Sequence, residues 1–196
     1  MGLDGTRLIV GITGATGIVY GVRLLERLRD AHVETHLVIS RWGARTLQHE
    51  TPYTREQVEA LASEVYKPDD MGAAISSGSF ETAGMIVAPC SAKTLAAIAH
   101  GYGDNLIHRA ADVVLKERRK LLLAVREAPL SEIHLDNMLR LARMGVVMLP
   151  PVPAFYNHPA SIDDLVEHTV SRMLDQFGIA SPHAARWTGD MGLKAK

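Results

Sequence analysis

Arg7-Leu8-Ile9-Val10-Gly11-Ile12-Thr13-Gly14-Ala15-Thr16-Gly17 is an apolar run that ends in a glycine-rich turn, and beyond it the apolar spacing changes. Arg7 to Ile12 reads as a buried strand, Gly14 to Gly17 as a turn, and Val19 to Arg29 as a helix with Val19, Leu24, Leu25 and Leu28 facing inward. Working outward, the next strand is Val33 to Ile39, with further strand-like runs at Gly84 to Ala88, Leu121 to Val125 and Val146 to Leu149. Between and after them, helical periodicity marks Ala44 to Glu50, Arg55 to Val65, Ser91 to His100, Leu106 to Glu117, Ser131 to Met144 and Ile162 to Phe177. Thr54-Arg55-Glu56-Gln57 carries a capping box, whereas Ser131-Glu132-Ile133-His134 lacks a carboxylate at the third position. Strands alternating with helices predict an α/β domain, doubly wound about a mostly parallel sheet.

The 196 residues, 47% of them hydrophobic, are expected to form one domain over 1–196, with terminal arms at about 1–6 and 179–196. Twenty-one basic against 22 acidic side chains leave a net charge of −1, which gives no general attraction to nucleic acid or anionic membrane. Any anion must therefore be met by local charge. One cysteine, Cys90, excludes an internal disulfide framework, and nine scattered histidines with it make no cysteine-rich zinc site. No apolar run is long enough to cross a bilayer, so a soluble cytoplasmic protein is expected. Met1-Gly2-Leu3-Asp4-Gly5-Thr6 matches the short N-myristoylation pattern, but no polybasic patch follows to supply a second anchor.

The turn Gly11-Ile12-Thr13-Gly14-Ala15-Thr16-Gly17 lies between strand and helix, so its amides and the helix N-terminus suit an anion. Its spacing differs from the dinucleotide Gly-x-Gly-x-x-Gly and is closer to a Thr-Gly-Ala-Thr-Gly turn also found in nucleotide-sugar epimerases and short-chain reductases. It points to phosphate rather than to NAD, and a tight turn without a ligand is the alternative. Ser40-Arg41 offers an arginine where an NADP enzyme wants one, but no Tyr-x-x-x-Lys pair occurs. Pro89-Cys90-Ser91-Ala92-Lys93-Thr94 is a second strand-to-helix turn facing the same edge; Cys90 within it lacks a nucleophile's sequence context. Arg109 and Lys116 are seven residues apart and share a helical stripe with Asp112 and Val113 between them, as a phosphate site or as a solvated face. Arg118, Arg119 and Lys120 read as solvated. Arg126-Glu127 ends a strand, where Glu127 can act as acid, base or cation stabiliser. Glu50 ends a helix. Loops at Lys67 to Thr82 and Pro150 to Ser161 have lengths that often carry function, and the second, with four prolines, holds Tyr156 stiffly.

Together, Gly14-Ala15-Thr16-Gly17, Pro89-Cys90-Ser91, the block Arg109 to Arg119, Arg126-Glu127-Ala128-Pro129, Pro150 to Tyr156 and Arg186-Trp187 resemble the flavin prenyltransferases of the UbiX type, in order and over nearly the whole chain. The resemblance implies a Rossmann-like oligomer, usually a dodecamer. It implies transfer of a dimethylallyl group from dimethylallyl monophosphate to reduced FMN, at N5 and then C6, without a metal. Gly14, Ala15, Thr16, Ser40, Ser91, Ala92, Lys93, Thr94 and Arg126 would contact FMN. Lys116, Tyr156 and Arg172 would clamp the allylic phosphate, with Arg109 reaching in from an adjacent subunit and Trp187 walling the allylic tail. Glu127 and Glu50, with the departing phosphate, would move the proton. Thr16, which the resemblance places with Glu127 and Glu50 in the catalytic set, stands where many members carry serine; threonine keeps the hydroxyl and adds a methyl. The product, prenylated FMN, would pass to a separate UbiD-type decarboxylase in quinone synthesis or phenolic-acid breakdown. An FMN-binding accessory subunit, or a decarboxylase of similar fold, is the alternative.

Overall fold

Alternate residues along each strand enter two different cores. In the computed structural model, which describes residues 6–182 together with 186, 187 and 189, Ile86, Ala88, Leu122 and Ala124 pack on one face of a sheet. Met85, Val87, Leu121 and Leu123 pack on the other. A sheet buried on both faces needs near-continuous apolar strands, as here. The strands are β1 (Arg7–Ile12), β2 (Glu34–Ile39), β3 (Glu64–Tyr66), β4 (Gly84–Cys90), β5 (Lys120–Val125) and β6 (Val147–Met148); the helices are α1 (Ile18–Asp30), α2 (Arg41–Glu50), α3 (Arg55–Glu59), α4 (Ala92–Ala99), α5 (Leu106–Lys116), α6 (Glu132–Arg143) and α7 (Ile162–Asp175). All strand pairs are parallel, in the order β3-β2-β1-β4-β5-β6. The winding direction reverses between β1 and β4, which opens a crevice at their carboxyl ends.

One core takes in α1 and α7, the other α4, α5 and α6. Helix α1 approaches β4 closely: a Cβ at Gly21 would lie 2.5 Å from the Ala88 carbonyl. The bond between α1 and α7 is ionic as well as apolar. The Glu167 carboxylate accepts from Arg23 at 2.8 Å and from Arg27 at 2.9 Å, and Arg23 also reaches Asp163. Burial pushes the Glu167 pKa up, but the hydrogen bonds from Arg27 and Arg23 outweigh it and hold the group below its ordinary range. Its stabilisation is therefore complete above that range and is lost as pH falls through the depressed value. Glu167→Ala removes the carboxylate that two part-buried guanidinium groups share, leaving Arg23 with Glu26 and Asp163 and Arg27 with Asp30, and is expected to cost about 2 kcal/mol, read as a lower thermal midpoint at neutral pH. The gap from the parent should narrow in acid.

Several elements depart from the sequence reading. Val19 is exposed, and the inward row is Ile18, Gly21, Val22, Leu24, Leu25 and Leu28, because the helical stripe starts one residue earlier. The stretch expected to be helical to Val65 stops at Glu59, and Glu64–Tyr66 instead pairs with β2. Ser63 draws the chain to the sheet edge by accepting from Thr35 N and donating its own N–H to the Thr35 carbonyl. Helix α2 starts at Arg41 because the Ser40 hydroxyl accepts from Gly43 N. At α6, His134 Nδ1 accepts from Ser131 N at 3.2 Å, so an imidazole does the work of the missing carboxylate. Val113 is buried rather than on the charged stripe of α5. Arg119 is not merely solvated: it donates to the carbonyls of Phe80 and Gly78, both at 2.7 Å, and ties down the loop at 67–82. The myristoylation pattern at 1–5 and the end at 191–196 lie outside the described residues.

Candidate functional site

Thr13 stitches the crevice together. Its hydroxyl donates to the Pro89 carbonyl at 2.8 Å and accepts from Ser91 N at 2.8 Å, so the turns after β1 and β4 are held as one surface. Around them start three helices. Ser40 caps α2, and its N–H donates to the Ile12 carbonyl. Ser91 caps α4, accepting from Thr94 N and donating to the Thr94 hydroxyl at 3.1 Å. Gly14 leaves no space for a side chain, since a Cβ there would lie 2.4 Å from the Trp42 Cβ. Gly14, Thr16 and Lys93 are exposed, and Ala15, Ser40, Ser91 and Ala92 half-buried, so these expected contact residues share one open edge. Thr94 does not: it is 4% exposed, and its hydroxyl is engaged by Ser91, so it supports the turn from below.

The start of α1 already holds an anion. Glu50, at the end of α2, accepts from Gly17 N at 2.8 Å and Ile18 N at 3.1 Å. The expectation that these turn amides take a phosphate is corrected to this extent: a carboxylate of the chain itself sits on the positive end of that helix. The N-termini of α2 and α4 are left for an external anion. Arg126, at the end of β5, is exposed and forms no side-chain hydrogen bond or ion pair among the described residues, while its N–H donates to the Cys90 carbonyl. Beside it, Glu127 accepts from Ala128 N at 3.1 Å. Two helix N-termini, the Ser40 hydroxyl and a guanidinium with no partner among the described residues form a donor set that fits the phosphate of FMN. Cys90 is fully buried, and burial pushes its thiol pKa far up, which removes it as a nucleophile.

A second cluster lies on α7. Tyr156, His168, Ser171, Arg172, Asp175, Arg186 and Trp187 line a cavity of ≈ 230 Å³. The Tyr156 ring meets Trp187 edge-on at 5.8 Å and His168 at 5.6 Å, and Tyr156 Oη lies 3.3 Å from His168 Nε2. The structure thus brings Tyr156, Arg172 and Trp187 together, and adds His168, Asp175 and Arg186, which the sequence reading did not place in the site. The Arg186-Trp187 pair was the available signal for Arg186.

Arg109 and Lys116 form a third group on α5. Arg109 donates to Ser76 O at 3.2 Å and pairs with Asp112 at 2.8 Å; Lys116 pairs with Glu117. Helices α5 and α7 cover opposite faces of the sheet, so one chain does not form the expected clamp of Lys116 with Tyr156 and Arg172. No hydrogen bond or ion pair among the described residues links the three groups. Among the described residues, no cluster of three His, Cys, Asp or Glu side chains is placed to hold a metal ion, and no helix is long and apolar enough to cross a membrane.

Residues 2–174 match the family described as Flavoprotein. A probable UbiX-like flavin prenyltransferase of Escherichia coli is 62% identical over 184 residues, 93% of this chain and 93% of the relative. Among solved structures, a dodecameric FMN-dependent UbiX-like decarboxylase from Escherichia coli O157:H7 superposes with a TM-score of 0.93 at 61% identity, over 94% of this chain and 100% of the other. AnUbiX (PadA1), in complex with FMN and dimethylallyl pyrophosphate, also gives 0.93, at 54% identity, over 94% of this chain and 98% of that one.

Proposed function

The chain belongs to the Flavoprotein family and within it to the UbiX-like flavin prenyltransferases, and on that premise we propose how its residues divide the work of joining a dimethylallyl group to reduced FMN. The observation that carries this reading is the presence of two separate cationic clusters in a chain of net charge −1. One is Arg126 with the N-termini of α2 and α4, the other Arg172 on α7 with Arg186 from the tail. Two phosphorylated molecules account for both.

Reduced FMN, when bound, supplies the nucleophilic ring positions N5 and C6. Ser40, Ser91, Ala92, Lys93 and Arg126 hold its phosphate, with Thr94 bracing Ser91, while Gly14, Ala15 and Thr16 lie against the flavin. Tyr156 and Arg172 hold the donor's phosphate, and Lys116 and Arg109 complete that site from neighbouring subunits. The leaving phosphate takes both electrons of the broken C–O bond, so cations around it lower the barrier, and the rings of Tyr156 and Trp187 exclude water from the allylic fragment. Glu127 and Glu50 move the proton released at the flavin edge.

Assembly follows from the separation of the groups and from apolar side chains left exposed on α6, among them Ile133, Leu135 and Leu139. A twelve-subunit assembly like that of the dodecameric relative is the reading for this chain. The donor is dimethylallyl monophosphate, the product leaves for a UbiD-type decarboxylase, and the reaction takes place in the cytoplasm, in keeping with a lone buried thiol. Anaerobic incubation with reduced FMN and dimethylallyl monophosphate should yield flavin with one added five-carbon unit by mass spectrometry. Unmodified flavin beside a competent control enzyme would favour an accessory subunit instead.

A further inference from the structure

Both arginines at the cavity on α7 point at one carboxylate. Arg172 donates to Asp175 Oδ2 at 3.0 Å, and Arg186 grips Asp175 with two bonds, at 2.8 Å to Oδ1 and 3.2 Å to Oδ2. Two guanidinium groups converging on an anion with two free oxygens is the arrangement by which proteins bind phosphate monoesters. Here a side chain of the protein fills it, at a cavity wall shared with Tyr156 and Trp187. Folding does not demand this geometry. Asp175 ends α7, Arg186 lies in the tail beyond it, and the two arginine side chains are 54% and 57% exposed. Ion pairs this open to water add little stability.

We propose that Asp175 is a surrogate anion in the donor-phosphate subsite: it holds Arg172 and Arg186 together while the donor is absent, gives them up to the donor's phosphate, and reclaims them when phosphate leaves. The proposal rests on the reading that Arg172 binds that phosphate, and it adds Arg186 as a ligand and Asp175 as a positioning residue. Two guanidinium groups without a counter-anion repel and swing into water, so a resident carboxylate keeps them in place. The same carboxylate competes with phosphate and sets its affinity. Hydrogen bonds from Arg186, opposed by partial burial and aided by the charge of Arg172, hold Asp175 below the usual carboxylate range, so it competes as an anion throughout the neutral range. After transfer, the exchange run backwards helps expel inorganic phosphate.

The test uses the full-length, FMN-loaded protein, with inorganic phosphate as competitive inhibitor against dimethylallyl monophosphate. Removing one ionised carboxylate from beside the bound anion should lower the phosphate Ki and the donor KM by roughly tenfold in Asp175→Asn. The kcat should fall as phosphate release slows, and FMN affinity should stay as in the parent. Asp175→Ser should behave in the same way, which covers any rearrangement of the tail peculiar to the amide. Arg186→Ala should raise the phosphate Ki. A Ki that is unchanged or raised in both Asp175 variants overturns the proposal, because a carboxylate that only braces the arginines cannot weaken phosphate binding. An Arg172→Ala control separates the two layers. If it leaves the phosphate Ki unchanged, the underlying assignment of Arg172 fails; if it raises the Ki while the Asp175 variants do not lower it, only the surrogate-anion proposal falls.

Discussion

Lys116→Ala is expected to lower turnover by about 10²- to 10³-fold, the loss typical of removing one well-placed group that stabilises charge developing in the transition state. FMN affinity should hardly change, because Lys116 is the last residue of α5 and is not among the groups proposed to hold the flavin. Arg172→Ala should be similarly impaired. Its residue lies on α7, across the sheet from α5, so each variant keeps the half of the site that the other lacks. Co-expressed with different affinity tags and purified through both, the two inactive subunits should regain part of the parental turnover in mixed assemblies. Mixing the separately purified, fully assembled variants should not restore activity unless subunits exchange. Mixed assemblies as inactive as the pure variants would contradict a donor site built across subunits.

Glu127→Gln should retain FMN binding and lose about 10²- to 10⁴-fold in turnover, the range for removing a positioned general acid or base. The side chain follows β5 directly, beside Arg126, with its carboxylate anchored on Ala128 N. Glutamine keeps the size and the hydrogen-bond acceptor, so the loss reports proton transfer rather than packing. Flavin fluorescence measures binding, and mass spectrometry of released flavin measures product. Full turnover in this variant would leave Glu50 as the proton-moving group; full binding with turnover lost from a parent that forms product excludes a passive flavin carrier.

The doubly wound sheet was legible because β1, β4 and β5 each carry an apolar run of five or more residues, and such runs have few alternatives. Strand β3 was not legible, since Val65 reads equally as the end of a helix and only pairing with Leu37 decides it. The residues that crowd the carboxyl edge were readable as strand-to-helix turns. What the linear pattern hid were partners distant in sequence: Thr13 bonds residues 76 and 78 positions away, Glu50 reaches back 33 residues to Gly17, and Asp175 meets Arg186 from the tail. The clamp failed to form in one chain for a related reason. Helical spacing showed that Arg109 and Lys116 share a stripe, but not which side of the sheet that stripe covers.

The Glu50 carboxylate at the head of α1 has a bearing on the life of the protein between reactions. An enzyme whose flavin departs as product spends part of every cycle empty. A helix end that relied on the flavin phosphate for its negative partner would lose it on each release, and the edge of the sheet would loosen. Glu50 gives that helix a counter-charge of the chain's own, in place while the site stands empty. The scaffold therefore does not depend on its passenger at this point, and the flavin-free protein should be recoverable folded and ready to be reloaded.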